Sequence, residues 1–315
     1  MTHGLVQVLL DTDMLTDCDD AGALAMLHAL TDRGEAKILG VAVNGVDTHG
    51  LHGAVVDAIN HYFGRPDIPI GMSPRTADQS PAKPSTYAPA IFEAYPHDGL
   101  RDSERPNAID LYRRLLAEAE DGSVTIVSIG FLSNLADLLA EESGRDLVAR
   151  KVRGITVMGG AYPACGPPPA RGAHNFQFGG AGPTTKAAIA AWPNTVPMAF
   201  VGYELGKPVV TGKGYADAPD SPMRRAYQLA YDAIRRGRPS WDQVAVFHAV
   251  RGLHHDGRTW FRAVRGLNRI AEDGSNVWEA DPVGPHAYLE SGTPPGDLAA
   301  VIEGLMMATP APRAQ

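Results

Sequence analysis

Five aspartates fall within ten residues directly behind an apolar strand, and this stretch restricts the chain's architecture more tightly than any other. Residues Leu5 to Leu30 read LVQVLLDTDMLTDCDDAGALAMLHAL. The opening run, with Val6, Val8, Leu9 and Leu10, is apolar on both alternating faces, the pattern of a parallel strand covered on both sides. Asp11, Asp13, Asp17, Asp19 and Asp20 follow, and Ala21, Ala23, Leu24, Ala25, Leu27, Ala29 and Leu30 then supply a helix. The acids therefore sit on a strand-to-helix turn at the carboxyl edge of a sheet, where open α/β folds bind ligands.

One or two of these carboxylates can cap the helix by accepting its free amides. The others, gathered at the end of a buried strand, repel one another unless a cation sits among them. Hard carboxylate oxygens suit calcium or magnesium. The rest of the composition narrows the partners. A net charge of -8 and a pI near 5.7 argue against a nucleic-acid surface. No apolar run reaches membrane-spanning length, and MTHGLVQ lacks the basic start and long apolar core of a secretion signal, so a cytoplasmic protein without a membrane partner is expected. Cys18 and Cys165 are too few for a disulfide framework and have no metal-type spacing.

Strand and helix patterns alternate along most of the chain. AKILGVAV (36–43) reads as a second buried strand ending at Asn44-Gly45, 51–63 as a helix closed by Gly64, and IPIG (68–71) as a short strand. Residues 72–107, rich in Pro, Ser and charge, read as a long surface excursion. A helix over 108–120 precedes the strand VTIVSIG (124–130), and FLSNLADLLAEE follows as a helix capped by Ser133 or Asn134. GITVMGGAY gives another strand, 184–192 a helix, TVPMAFVGYELG (195–206) a strand with its exit loop, and 221–236 a helix. TWFRAVRGLNRIAEDGSNVWEAD has the form of an antiparallel hairpin turning at Asp273-Gly274, before a short strand HAYLE and a last helix over 297–307. This alternation predicts a single α/β domain over 1–315: a Rossmann-like open sheet with a mostly parallel core, helices on both faces and a small antiparallel C-terminal hairpin.

DTDMLTDCDDAGALAML resembles the N-terminal signature of the inosine-uridine-preferring nucleoside hydrolases. Four later segments agree in order: VNG (43–45), VSIGFLSNLADLL, ITVMGGAY and SWDQVAVFHAV. The resemblance implies hydrolysis of a ribonucleoside's N-glycosidic bond to ribose and free base, in a homo-oligomer (dimer or tetramer). It also implies one bound calcium ion. Asp13, Asp20, the backbone carbonyl of Ile129 and Asp242 would be the protein's ligands, with a water and two ribose hydroxyls completing the shell. Asp13 would be the general base acting on that water. Asp19 would hold a ribose hydroxyl, Asn44, Met158 and Asn175 would line the sugar site, and Asp11 and Asp17 would support the ligands from behind.

The chain departs from the family pattern at three places. Many members carry a histidine immediately before the late aspartate, as an acid near the leaving base, whereas this chain has Trp241, which can stack on a base but cannot protonate one. Tyr231, four residues after Tyr227 and so on the same helix face, is expected over the same region, with Tyr227 in the core. Ala173 stands where a glutamate usually binds the ribose 5'-hydroxyl, leaving His174 or Glu204 to substitute. The first motif is two residues longer than its shortest form, which puts Asp17 and Cys18 in an extra turn. Two alternatives accompany this reading. Asp11-Thr12-Asp13 mimics the nucleophile motif of haloacid-dehalogenase-type phosphatases, although Leu15 stands where that motif needs a small hydroxyl residue. The missing histidine and glutamate also suit a non-catalytic nucleoside- or sugar-binding relative.

Overall fold

A computed structural model describes residues 4–75, 84–163 and 174–310. Among these, nine strands form the main sheet: β1 (Val6–Thr12), β2 (Ala36–Val43), β3 (Ile70–Met72), β4 (Val124–Ser128), β5 (Val152–Met158), β6 (Met198–Val201), β7 (Phe261–Ile270), β8 (Asn276–Ala280) and β9 (His286–Ser291). Across the sheet the order is β8-β7-β9-β6-β5-β4-β1-β2-β3. From β3 to β9 every neighbouring pair is parallel, and β7 and β8 then close the far side antiparallel. The run 3-2-1-4-5-6 reverses direction between β1 and β4, so a crevice opens beyond the carboxyl ends of those two strands.

Side chains of β1 alternate between two apolar layers, as a strand's period of two requires. Val8 and Leu10 pack with the helices Asp19–Asp32, His52–Tyr62, Trp241–Arg251 and Pro295–Met306, and Leu9 with Ala108–Glu118 and Ser133–Ala140 on the other face. Both faces are thus covered, which explains why the run is apolar at all but Gln7. Leu9 and Leu10 are wholly buried, and burial of this kind stabilises by about 2–3 kcal/mol per side chain.

The hairpin forms where Asp273-Gly274 predicts it, with Gly274 at φ +81 and its amide donating to the carbonyl of Ala271 at 3.0 Å. It is not a separate appendage, because β9 pairs with both β6 and β7 and so joins it to the main sheet. Three local expectations are corrected. The 72–107 stretch holds a helix, Ala88–Ala94, that buries Tyr87, Ala88 and Ile91. Asn134 does not cap the helix that follows β4, because its amide reaches the carboxylate of Asp11 instead. The 221–236 helix is broken into Pro222–Leu229 and Ala233–Arg236, with Tyr231 and Asp232 left-handed at φ 55 and 54. No helix among the described residues is long and apolar enough to cross a membrane.

Candidate active site

The turn after β1 delivers its aspartates to the crevice. Asp19 and Asp20 open the helix Asp19–Asp32, and Asp242 is the second residue of Trp241–Arg251, so two helix N-termini point their positive ends at one place. One carboxylate oxygen each from Asp19, Asp20 and Asp242 lies within 4.8 Å of the others, and all three side chains are buried. Asp13 joins them through carboxyl–carboxyl contact with Asp20. Thr12 Oγ1 donates to Asp20 Oδ1, which also accepts the Met14 amide at 3.2 Å.

Burial first, and then the neighbouring charges, hold Asp13, Asp19 and Asp242 well above the ordinary carboxylate range. Burial likewise lifts Asp20 to about 6, against the hydrogen bonds from Thr12 and Met14. Four acids so placed cannot all ionise without a positive charge among them. An all-oxygen, carboxylate-rich donor set of this kind fits a hard divalent cation.

Beneath this ring lies a polar brace. Asp11 is fully buried and accepts from Asn44, from the Tyr112 hydroxyl at 2.6 Å and from Asn134 at 3.3 Å. Burial raises its carboxyl to about 7 even though these three donors favour the charge. The second amide hydrogen of Asn44 goes to the Phe131 carbonyl at 2.7 Å, and its oxygen takes the Phe131 amide at 3.0 Å. Asn44 therefore ties β2 to the loop after β4. The loops approach closely only because two residues lack a side chain. A Cβ on Gly130 would lie 2.4 Å from the Asp13 nitrogen, and one on Gly45 would lie 1.9 Å from the Asp13 carbonyl oxygen.

Met14, left-handed at φ 46, follows Asp13. His52 holds its carbonyl through Nδ1 at 2.9 Å, and Nε2 lies 3.2 Å from Asp47 Oδ1. The Asp47 carboxylate beside Nε2 favours a positive charge on the ring. Burial opposes that charge, but the hydrogen bond and charge of Asp47 outweigh it and raise the pKa of His52.

At the carboxyl ends of β4 and β5, Asn175 Nδ2 donates to the Ile129 carbonyl at 2.8 Å and lies 3.3 Å from both the carbonyl oxygen and the sulfur of Met158. The Ile129 carbonyl stands at the same edge as the acids, because its own amide bonds the Asp11 carbonyl at 2.7 Å. Trp241 immediately precedes Asp242 on its helix. Its indole N–H donates to the Tyr203 carbonyl at 2.8 Å and its ring stacks on Tyr203 with centroids 5.5 Å apart. Glu204, in the short helix Tyr203–Gly206, is lifted to about 6 by burial, and its buried carboxylate makes no well-formed hydrogen bond.

The model of the inosine-uridine preferring nucleoside hydrolases matches residues 8–189, more than half of the chain. The chain belongs to this family. Its members are hydrolases acting on N-glycosyl bonds. No curated protein matches by sequence. Among solved structures, the inosine-uridine preferring nucleoside hydrolase of Bacillus anthracis is similar at 16% identity and a TM-score of 0.68, over 96% of this chain and 99% of that one. An inosine-guanosine nucleoside hydrolase is similar at 15% identity and TM-score 0.67, over 96% and 98%. The type III effector XopQ, solved with adenosine diphosphate ribose, is similar at 17% identity and TM-score 0.64, over 98% and 95%.

Within this nucleoside hydrolase the structure gathers Asp13, Asp19, Asp20 and Asp242, and separately Ile129, Met158 and Asn175, at one sheet edge. Tyr227 is wholly buried, whereas Tyr231 is 54% exposed, so the two do not share a helix face. Asp17 does not brace the acids from below: it points to the rim, where Arg238 holds its carboxylate. Ala173 and the side chain of His174 lie outside the described residues. Tyr112, Asn134, His52 and Arg238 are the partners that sequence reasoning missed. Only Arg238 left a trace, as a charge four residues before Asp242 within a group of arginines that otherwise suggests a solvated helix face.

Proposed function

We propose that this hydrolase cleaves the N-glycosidic bond of a ribonucleoside with the help of one calcium ion held by Asp13, Asp20, Asp242 and the Ile129 carbonyl. The observation that carries the reading is the convergence of buried carboxylates from two distant segments, around residues 13–20 and 242, on one spot. When bound, the cation supplies a more acidic water and a fixed grip on the sugar's vicinal hydroxyls.

The chain's own residues divide the remaining work. Asp13, at 8% exposure against 2–4% for Asp19, Asp20 and Asp242, is the most open member of the ring. It is assigned as the general base that takes a proton from the attacking water. Asp19 accepts a hydrogen bond from a ribose hydroxyl. The Met158 sulfur and the Asn175 amide oxygen face the sugar as it acquires oxocarbenium character, stabilising positive charge without trapping it covalently. Trp241 and Tyr231 flank the leaving base, and Glu204, which burial keeps partly protonated near neutral pH, serves the sugar's 5' end. Without a histidine acid, the enzyme favours bases that leave readily, and purines fit that demand.

A second reading keeps the pocket but not the turnover. XopQ carries adenosine diphosphate ribose on a similar fold, and Trp241 and Ala173 replace two groups the family commonly uses. The phosphatase alternative has no support from the family assignment. Release of free base from inosine, guanosine and uridine, measured with calcium and with chelator, separates the readings. Calcium-dependent base release supports hydrolysis, whereas binding of the same nucleosides without release supports the second reading.

A further inference from the structure

Two departures from the family pattern, the extra turn at Asp17-Cys18 and the tryptophan at 241, meet on a single side chain. Arg238 Nε lies 2.9 and 3.1 Å from the two carboxylate oxygens of Asp17, and Nη2 completes a two-pronged pair. Asp17 is fixed in turn, with its Oδ1 accepting the Cys18 amide at 2.7 Å and its carbonyl accepting the hydroxyl of the buried Tyr87 at 2.8 Å. The same guanidinium lies 4.2 Å from the ring centre of Tyr231 and 5.3 Å from that of Trp241. Arg238 itself is anchored, since Arg238–Pro239 pairs with Val210–Thr211 and the Ser240 amide bonds the Val209 carbonyl at 2.8 Å.

We propose that Arg238 is a positioning residue that fastens the turn bearing Asp19 and Asp20, through Asp17, to the base-side wall, through Trp241, so that the acid ring and the aromatic wall form as one unit. The planar guanidinium is suited to this, because it can grip a carboxylate in two places while its faces lie on aromatic rings. A lysine would keep the charge and lose the geometry. The clasp also accounts for the left-handed break at Tyr231 and Asp232, which turns Tyr231 out of the helix and onto the guanidinium.

The kinetic part of the test rests on the hydrolase reading, and the spectroscopic part does not. Chelated full-length protein is titrated with calcium while tryptophan emission is followed, with Trp241→Phe isolating the Trp241 signal from the other three tryptophans. Calcium is expected to change Trp241 emission in the unaltered chain. That change should fall about fivefold or more in Arg238→Gln and in Asp17→Asn, with calcium binding by calorimetry retained, and Arg238→Lys should be intermediate. For inosine hydrolysis each single substitution should lower kcat/KM about tenfold, and Asp17→Asn/Arg238→Gln should be no worse than the poorer single, as coupled partners require. An undiminished emission change in Arg238→Gln, or additive losses near a hundredfold in the double variant, overturns the proposal. An unaltered chain that shows the emission change but releases no base refutes the hydrolase reading and leaves the clasp standing.

Discussion

Replacing Tyr112 by Phe removes one hydroxyl from the floor of the site and leaves the ring's shape in place. In the absence of cation, the Asp11 carboxyl keeps its proton in the folded protein up to about pH 7, whereas an unperturbed aspartate loses it near 3.8. This group's contribution to stability therefore falls as pH rises from about 4 to about 7 and is level above. The Tyr112 hydroxyl, donating at 2.6 Å, is one of three donors that limit the loss by favouring the ionised form. At pH 8, where Asp11 is charged, deleting the hydroxyl should cost about 1.5–3 kcal/mol, the range for a hydrogen bond to a charged group. At pH 5.5, where Asp11 is neutral, about 1 kcal/mol is expected. An unfolding entropy of about 2.1 cal/mol/K per residue gives about 0.66 kcal/mol/K for 315 residues. The melting temperature should therefore drop by about 2–5 °C at pH 8 and by about 1.5 °C at pH 5.5. Thermal unfolding of both proteins in chelator at the two pH values reads this directly. Equal drops at the two pH values, or none at pH 8, would show that Asp11 does not depend on Tyr112 for its charge.

Three further outcomes follow from the same geometry. Asp242→Asn should weaken calcium binding by more than about a hundredfold, beyond the 10–100-fold that outer partners of a metal site usually cost; calorimetry measures it. Trp241→Ala should lower kcat/KM for a purine nucleoside by up to about tenfold, the upper end of what an aromatic pair contributes, and an unchanged value would remove Trp241 from the base site. Gly130→Ala puts a methyl group 2.4 Å from the Asp13 nitrogen, so it should destabilise by about 2 kcal/mol or more in urea unfolding and weaken cation binding along with it.

The legible parts of the sequence were those where one local pattern leaves little choice. An apolar run ending in acids and entering an alanine- and leucine-rich helix specifies a buried strand, a rim and a helix at once, and β1 with Asp19–Asp32 follows it. Asp-Gly between alternating strands likewise located the β7–β8 turn, since glycine carries its positive φ without strain. Partners reached across the fold were not legible. Nothing in FLSNLADLL distinguishes an asparagine that caps its own helix from one that bonds Asp11, 123 residues away in sequence. Tyr112 reads as ordinary packing on an amphipathic helix, and only its hydroxyl's buried partner gives it a role. The break at Tyr231 carries no Gly or Pro within 223–236 to announce it; it coincides with a contact to Arg238 that only the folded chain creates. The helix Ala88–Ala94, seven residues long, is too short to show a period above its Pro- and charge-rich surroundings.

That acids from two distant segments of the chain answer to one cation is best tested by titrating calcium into chelated protein while base release from inosine is followed in the same samples. Activity should rise from zero along the binding curve of a single site, and both signals should vanish together in Asp20→Asn/Asp242→Asn. Full turnover in chelator, or calcium binding that survives the double substitution unchanged, would contradict it.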